Sequence, residues 1–415
     1  MTKIEVQGAA AKKAGETLAI CSAAKKNKAL IMIADALIAN KQRIIEANGI
    51  DMENARANSM SDAMMDRLAL NSERIEDIAK GVLDVMGQAD PIGEVERLKK
   101  RPNGLLIGRK KVPLGVIAII YESRPNVTVD AAVLCLKAGN AVILRGGKEA
   151  FNSNNALTEI MREATMQSGL PVDAVSLVQD TSRESVGQLL NLKDYVDVLI
   201  PRGGTGLINF VVENARIPVI ETGSGNCHVY VEAGADLEMA ADIVFNSKCR
   251  RVSVCNAAET LLVDRGIAAE FLPKAKALLD TKKTILYGCE ETVKILGSEV
   301  RPATEEDYYT EYLDYILAVK VVGGIDEAIL HIGKYSTKHS EAIITQNYNA
   351  SNRFLEEVDS AAVYVNASTA FTDGGEFGLG AEIGISTQKM HARGPMGLEQ
   401  LTSSKFIIYG SGQTR

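Results

Sequence analysis

Apolar and polar positions divide the chain into an N-terminal helical part and a longer part in which strands and helices alternate. Up to about residue 90, segments such as 29–39 and 72–86 carry apolar residues at steps of three and four, as amphipathic helices do. Gly49 and the Ser59–Ser61 stretch separate these segments. No chemical motif occurs in this part, and we expect it to form a covering layer.

Between Val95 and Val112 the pattern changes to short alternating pieces around the turn signal Pro102-Asn-Gly104. It predicts a β-hairpin that projects from the body. Two interpretations fit such a hairpin, a subunit contact and a plain surface feature. The last apolar stretch, Lys405–Tyr409, predicts a terminal strand that pairs with another sheet edge.

From Pro113 onward, short continuous apolar runs alternate with helical segments. Continuous apolar runs are typical of parallel strands that are covered on both faces. Repeated strand–helix units predict a doubly wound parallel sheet, which binds ligands at the carboxyl ends of its strands. The expected strands are 116–120, 141–144, 174–178, 196–200 and 218–220, and the expected helices are 127–138, 154–168, 182–190 and 206–214.

After Glu221 the same alternation begins again. The expected elements are a strand at 229–232, a helix at 237–249, a strand at 260–263 and a helix at 268–279. A second α/β domain is therefore predicted to start near residue 223.

Two of the strands in the first sheet are followed by loops that combine glycines with cations. These loops contain Arg145, Gly146, Gly147 and Lys148, and Arg202, Gly203 and Gly204. Glycines let a ligand approach the backbone, and a helix N-terminus attracts phosphate. Neither loop has the GxGxxG pattern, and glycine loops are often only tight turns. The cations favour an anionic nucleotide, since a purely structural turn does not need them.

Cys255 is the strongest candidate for chemistry in the chain. It lies between the small polar residues Ser253 and Asn256, on a turn that enters an apolar strand at Thr260. The cations just upstream are Lys248, Arg250 and Arg251. Positive charge favours the thiolate, which is the nucleophilic form. The alternative is a small buried side chain, as most unpaired cysteines are.

Composition narrows the function classes. The net charge of −7 argues against a nucleic-acid partner, and no apolar run is long enough to span a membrane. The six cysteines form no CxxC pair, and the N-terminus has no apolar signal core, so we expect reduced thiols in the cytoplasm. The four histidines are scattered, so we expect no metal site.

Four segments carry a family resemblance that extends over essentially the whole chain. They are Tyr121-Glu-Ser-Arg-Pro-Asn-Val-Thr128, Ile200-Pro-Arg-Gly-Gly204, Ser253-Val-Cys-Asn256 and His391-Ala-Arg-Gly-Pro-Met-Gly-Leu398. In this order they resemble the aldehyde dehydrogenase superfamily, and within it the branch that reduces glutamyl phosphate. That branch usually has Thr-Gln-Arg-Pro before its cysteine, where this chain has Cys249-Arg-Arg-Val252. Cys249 is therefore a second thiol to consider, although the motif favours Cys255.

The resemblance implies an α/β fold of three parts. They are an NADP-binding domain of residues 1–98 and 113–222, a catalytic domain of residues 223–398, and a small oligomerisation arm of residues 99–112 and 399–415. The Val95–Val112 hairpin and the terminal strand indicate a homodimer or larger assembly, and the implied substrate makes a glutamate kinase a candidate partner.

The implied activity is the NADPH-dependent reduction of L-glutamyl 5-phosphate to L-glutamate 5-semialdehyde, with release of phosphate, in proline biosynthesis. Cys255 would attack the acyl phosphate and form a thioester, which replaces one difficult transfer by two easier ones. The implied oxyanion donors are the Cys255 N–H and Ser123, which stands where the wider superfamily has an asparagine. Asn256, beside the nucleophile, is the third implied catalytic residue.

The implied substrate ligands are Arg124, Arg251, His391 and Arg393. For Arg124 three roles stay open: holding the phosphate, holding the α-carboxylate, and a structural ion pair. Lys148 stands where NAD-using relatives commonly have a glutamate, which favours NADP, although the neighbouring Glu149 weakens that argument.

Two glutamates complete the implied cofactor site. Glu311 aligns with the carboxylate that holds the nicotinamide ribose. Glu221 aligns with the general base of the hydrolytic relatives, and its role stays open because a reaction that exchanges phosphate activates no water. The rival functions are a hydrolysing aldehyde dehydrogenase with Glu221 as base, and a non-catalytic protein that keeps the fold.

Overall fold

The computed structural model describes the backbone of residues 1–415 and every side chain except that of Ala63. The chain forms two compact units. Unit 1 comprises Met1–Thr222, Gly378–Gly384 and Met396–Arg415, and unit 2 comprises Gly223–Phe377 and Ile385–Pro395. Both units are built from helices and parallel strands.

Unit 1 begins with helices, as the steps of three and four predicted. They are α1 (Lys3–Leu18), α2 (Ala23–Ala39), α3 (Lys41–Ala57), α4 (Asp62–Leu68) and α5 (Ser72–Gly87). The side chains of Thr2, Ser22 and Asn71 cap α1, α2 and α5 by accepting a backbone N–H of the first turn. The predicted hairpin follows, with strands β1 (Val95–Lys100) and β2 (Leu106–Pro113) in antiparallel register.

The sheet of unit 1 is parallel, and its described strands stand in the order β5-β4-β3-β6. The strands are β3 (Val116–Tyr121), β4 (Ala141–Gly146), β5 (Val175–Leu177) and β6 (Val198–Arg202), and the helices are α6 (Pro125–Lys137), α7 (Phe151–Gln167), α8 (Arg183–Leu190) and α9 (Thr205–Asn214). Every residue of β3 is buried, as a continuous apolar run in a covered central strand requires.

The strand predicted at 218–220 is wrong. Val219 forms only an isolated bridge to Leu199. In this bridge the Leu199 N–H donates to the Pro218 carbonyl, and the Ile220 N–H donates to the Leu199 carbonyl. The segment is too short to continue the ladder because the chain leaves for unit 2 at Gly223.

Unit 2 contains a second parallel sheet, whose described strands stand in the order β10-β9-β11-β8-β7-β12-β13. The strands are β7 (Cys227–Val231), β8 (Ala258–Asp264), β9 (Ile285–Gly288), β10 (Arg301–Pro302), β11 (Ile316–Val322), β12 (Ser340–Ile344) and β13 (Ala362–Val365). The helices are α10 (Leu237–Cys249), α11 (Arg265–Asp280), α12 (Glu290–Leu296), α13 (Ile325–Tyr335) and α14 (Tyr348–Glu357). Apolar clusters on its two faces form the core.

Two small features complete the chain. In unit 2, β14 (Ile385–Ser386) and β15 (Gly394–Pro395) pair antiparallel. In unit 1, the terminal strand β16 (Thr402–Tyr409) pairs antiparallel with β2 along its whole length, so the expected sheet edge is the hairpin. Among the described helices, none is long and apolar enough to cross a membrane.

Candidate functional site

The two glycine loops of unit 1 lie at one edge of its sheet. Tyr121, the last residue of β3, is in register with Gly146 of β4 on one side and with Arg202 of β6 on the other. The turn that begins at Glu122 therefore stands between the loops after β4 and β6. This is the carboxyl edge, where the sequence predicted a ligand.

The side chain of Glu122, which follows β3, contacts the loop after β6, and the sequence did not indicate this contact. Its Oε2 accepts the backbone N–H of Gly204 at 2.9 Å, at the N-terminus of α9. A Cβ on Gly203 would lie 2.5 Å from the same oxygen, so this carboxylate and that glycine fit each other. A negative charge at a helix N-terminus is favourable. Glu122 and Gly204 are too far apart in the sequence for any local pattern to predict this contact.

Glu149 holds the turn that carries Ser123. Its Oε1 accepts both the backbone N–H of Ser123, at 2.8 Å, and the Ser123 hydroxyl, at 2.7 Å. Ser123 is buried and has φ 38°, a left-handed conformation that a serine seldom adopts. In this arrangement the Ser123 hydroxyl donates its hydrogen to Glu149. Arg124 follows as the N-cap residue of α6 and is half-buried.

The cations of this edge differ in what they contact. Arg145 donates to the carbonyls of Gly146 and Thr181, and burial lowers the pKa of its guanidinium. Arg202 lies 3.8 Å from the carboxylate of Glu382. The ammonium of Lys148 is exposed and makes no ion pair or hydrogen bond to any residue that the structure describes. Lys148 is thus the cation of this edge best placed to meet an anionic ligand.

In unit 2, Cys255 is half-buried on the turn between α10 and β8. Its main chain is tightly held, because the Cys227 thiol donates to the Cys255 carbonyl with a sulfur–oxygen distance of 3.1 Å. Gly225 packs against the same carbonyl, and a Cβ at that position would lie 1.4 Å from the oxygen. The backbone of the candidate nucleophile therefore has little room to move.

Asn256 supports the same turn. Its amide donates to the carbonyls of Ala370 at 3.2 Å and Thr372 at 3.0 Å, and its own carbonyl accepts the Thr369 hydroxyl at 2.7 Å. With both amide hydrogens used in this way, the Asn256 side chain holds the turn in place.

Lys248, one of the three cations just upstream of Cys255, pairs with a carboxylate in the core. It is completely buried and pairs with the equally buried Glu259 at 2.5 Å. Burial raises the pKa of Glu259 to about 7, and the Lys248 ammonium opposes that shift. Glu311 lies nearby, and its Oε1 accepts the Gly225 N–H at 2.7 Å. Cys255, Gly225 and Glu311 are therefore brought together, as a site in this unit requires.

The second thiol of the motif, Cys249, belongs to the core. It is the last residue of α10 and is buried, with its sulfur 3.6 Å from the Thr284 hydroxyl. Burial raises the pKa of the Cys249 thiol, which disfavours the thiolate.

The remaining predicted ligands are Arg393, His391 and Arg251 in unit 2, and Glu221 near the end of the first segment of unit 1. Arg393 donates to Asp359 at 2.8 Å, and Lys389 pairs with the same carboxylate at 2.8 Å. These hydrogen bonds lower the pKa of Asp359. His391 is exposed between β14 and β15, and Arg251 is exposed on the Cys255 turn. Glu221 is half-buried at the end of unit 1.

With this geometry in place, the comparisons with known proteins decide the family. Residues 2–295 match the aldehyde dehydrogenase family. The chain belongs to the aldehyde dehydrogenase family. As a member of this family it is an oxidoreductase, and the resemblance and the α/β fold expected from its motifs are confirmed.

Similar proteins within the family share a name. The gamma-glutamyl phosphate reductase of Halothermothrix orenii is 58% identical over 413 residues, which cover 100% of this chain and 99% of the relative. That of Carboxydothermus hydrogenoformans is 59% identical over 405 residues, covering 98% and 97%. The crystal structure of the Thermotoga maritima gamma-glutamyl phosphate reductase matches with a TM-score of 0.96 at 48% identity, covering 100% of both chains.

More distant structures share the fold alone. An acetylating aldehyde dehydrogenase from Geobacillus thermoglucosidasius has a TM-score of 0.72 at 18% identity.

Proposed function

We propose that this chain reduces L-glutamyl 5-phosphate to L-glutamate 5-semialdehyde with NADPH, releasing phosphate, as a step of proline biosynthesis in the cytoplasm. The observation that carries the proposal is the half-buried Cys255 on a turn whose main chain is held by Cys227 and Gly225. The full-length identity to proteins named gamma-glutamyl phosphate reductase supports the substrate.

In the proposed mechanism, the Cys255 thiolate attacks the acyl carbon of glutamyl phosphate. A carbon–sulfur bond forms, the bond from that carbon to the phosphate oxygen breaks, and inorganic phosphate leaves with the electron pair. When bound, the nicotinamide cofactor supplies the hydride that the reduction requires. The Cys255 sulfur then departs as thiolate, releasing the aldehyde. The Cys255 N–H is the candidate donor to the oxyanion.

The residues of the unit 1 loops fit a nucleotide that carries a 2′-phosphate. The loops contain Gly146, Gly147, Gly203 and Gly204, of which Gly204 has no atom beyond its chain neighbours nearer than 4.0 Å to the place of a Cβ, and Arg145 and Arg202 add positive charge. The Nε atom of Arg145 is buried and has no hydrogen-bond partner among the described residues, so this guanidinium keeps an unused donor. Lys148 would meet the 2′-phosphate, and Glu311 would hold the nicotinamide ribose; Glu221 is a further carboxylate for the cofactor.

Lys148→Glu is expected to shift cofactor preference from NADP towards NAD. The carboxylate would repel the 2′-phosphate and could accept hydrogen bonds from unphosphorylated ribose hydroxyls. We expect KM for NADP to rise about tenfold or more, the effect of losing one charge-assisted contact. Steady-state kinetics with both cofactors would measure this.

Lys193→Glu is the matched control. It makes the same charge change on an exposed residue that precedes β6, at the amino edge of the sheet and away from the loops. An equal loss of NADP affinity in both variants would show that overall charge, and not the Lys148 contact, sets the preference.

The reverse reaction is expected to require phosphate. With glutamate semialdehyde and NADP, NADPH should form beyond a single stoichiometric burst only when inorganic phosphate is present, because phosphate must attack the thioester to regenerate Cys255. A hydrolysing enzyme would instead use water, with Glu221 as base, and would form NADPH without phosphate. Following absorbance at 340 nm (the NADPH band) with and without phosphate separates the two.

The proposed substrate ligands are the cations Arg124, Arg251 and Arg393, with His391. In unit 2, Asp359 holds Arg393 in a fixed position. A guanidinium can meet either the phosphate or the α-carboxylate through two hydrogen bonds.

The arm of unit 1 is proposed to form a subunit contact. Its terminal strand β16 exposes the large apolar side chains of Phe406, Ile408 and Tyr409, and strand β1 of the same sheet exposes Val95 and Leu98. Exposed apolar side chains concentrated on one small sheet are typical of an interaction surface. A homodimer or larger assembly of this chain is the proposed result. The acyl phosphate substrate places a glutamate kinase immediately upstream, as the partner reaction.

A further inference from the structure

The turn that carries Cys255 is closed at its base by a buried ion pair. Helix α10 ends at Cys249 and strand β8 begins at Ala258, so residues 250–257 form the turn. Lys248 lies just before the turn and Glu259 just after it. Their Nζ and Oε2 atoms are 2.5 Å apart, and both side chains are 0% exposed. The pair thus joins the two elements from which the turn emerges.

The same carboxylate also holds a second segment. Glu259 Oε1 accepts the backbone N–H of Leu313 at 3.2 Å. Leu313 has φ 54°, a conformation that needs support from its surroundings. Two residues earlier, Glu311 accepts the N–H of Gly225, which packs against the Cys255 carbonyl. Glu259 is therefore linked to the nucleophile both through its own turn and through the Glu311 segment.

A gain in folding stability does not explain why this ion pair is buried. Burial raises the pKa of Glu259 to about 7 although Lys248 opposes the shift, so keeping this carboxylate ionised in the core is unfavourable. Apolar side chains of similar size often stabilise a core as well as a buried ion pair does. A charged pair differs from them in fixing the geometry of its two partners.

We propose that Lys248 and Glu259 are positioning residues for the reaction, forming a clamp that fixes the Cys255 turn and the segment that carries Glu311. The inference rests on the proposed function in taking Cys255 as the nucleophile. Neither residue touches the reacting atoms. Their effect is to keep the sulfur in a reactive geometry, in which a displacement of about 1 Å can lower the rate about 10²-fold.

The test compares Lys248→Met, Glu259→Gln and the double variant. Each single variant leaves an unpaired polar or charged group in the core, so we expect both to lower Tm and kcat. The double variant removes both charges and should regain most of the Tm. Its turn remains without a clamp, so we expect kcat to stay about 10²-fold below wild type, with KM changed little, and hydrogen–deuterium exchange of residues 250–257 to accelerate.

A purely structural pair predicts a different result. In that case the double variant would regain kcat together with Tm, and this outcome would overturn the clamp. Unchanged exchange of residues 250–257 in the double variant would overturn it as well. The gain of exchange, with low kcat at restored Tm, is the combination that only a positioning role produces.

The matched control is the exposed pair Lys274–Glu238 in the same unit, whose atoms lie 2.7 Å apart. The double variant Lys274→Met and Glu238→Gln removes the same groups and should leave kcat and the exchange of residues 250–257 unchanged. Failure of the proposed function would be visible separately. A Cys255→Ser protein with full turnover would refute the nucleophile, whereas the exchange measurement reports on the clamp without any turnover.

Discussion

Replacing Cys255 by Ser is expected to abolish turnover, with kcat lowered by about 10⁴-fold or more, the order seen when a nucleophile is removed. A serine hydroxyl is not ionised at neutral pH and cannot replace a thiolate. The side chain is half-buried and its turn is held through main-chain contacts, so the variant should fold and bind NADP nearly as the wild type does. Single-turnover and NADP-binding measurements would show both effects.

Cys249→Ser is the control for this result. It changes the same atoms six positions earlier in the motif, in a thiol whose burial raises its pKa. We expect some loss of stability and retention of kcat. Limiting iodoacetamide should label Cys255 before Cys21 and Cys289, which are also partly exposed. Retained activity in Cys255→Ser, or uniform slow labelling, would contradict the assignment of the nucleophile.

Much of the fold could be predicted because it follows from local patterns. Helix α10 has the predicted bounds, since its apolar steps begin after the capping Asp236 and end where the polar turn starts. Strand β3 was found because its central place in the sheet requires a continuous apolar run. The strand predicted at 218–220 was wrong for the opposite reason, because this three-residue apolar stretch pairs with Leu199 only through an isolated bridge.

The contacts that shape the candidate site could not be predicted in the same way. Gly225 and Glu311 are 86 positions apart, and Glu122 and Gly204 are 82 apart, so no local pattern connects them. Lys248 was counted as a cation near the thiol because sequence proximity does not reveal burial or a partner on the next strand. The sequence therefore predicted a nucleophile at Cys255 and two cofactor loops, whereas the carboxylates that contact these segments became visible only in three dimensions.

Gly225→Ala is expected to lower both stability and kcat. The added Cβ would lie 1.4 Å from the Cys255 carbonyl oxygen, a backbone atom that cannot rotate away, so the nucleophile turn must shift. The shift would also disturb the Gly225 N–H bond to Glu311. Overpacking of this kind costs about 1–3 kcal/mol of stability, and a displaced nucleophile lowers kcat about 10²-fold.

The informative control is Gly333→Ala, because a Cβ at that exposed position in α13 meets no atom within 4 Å. That variant should keep wild-type kcat and gain about 0.5–1 kcal/mol, as Gly→Ala does inside a helix. Thermal melts and kcat for both variants would separate a general effect of losing a glycine from the specific collision at Gly225. The prediction would be contradicted if kcat of Gly225→Ala stayed within about twofold of the wild-type value, instead of falling by about 10²-fold. The turn would then be able to shift without moving the sulfur. The close packing of Gly225 against Cys255 would then have no part in placing the nucleophile.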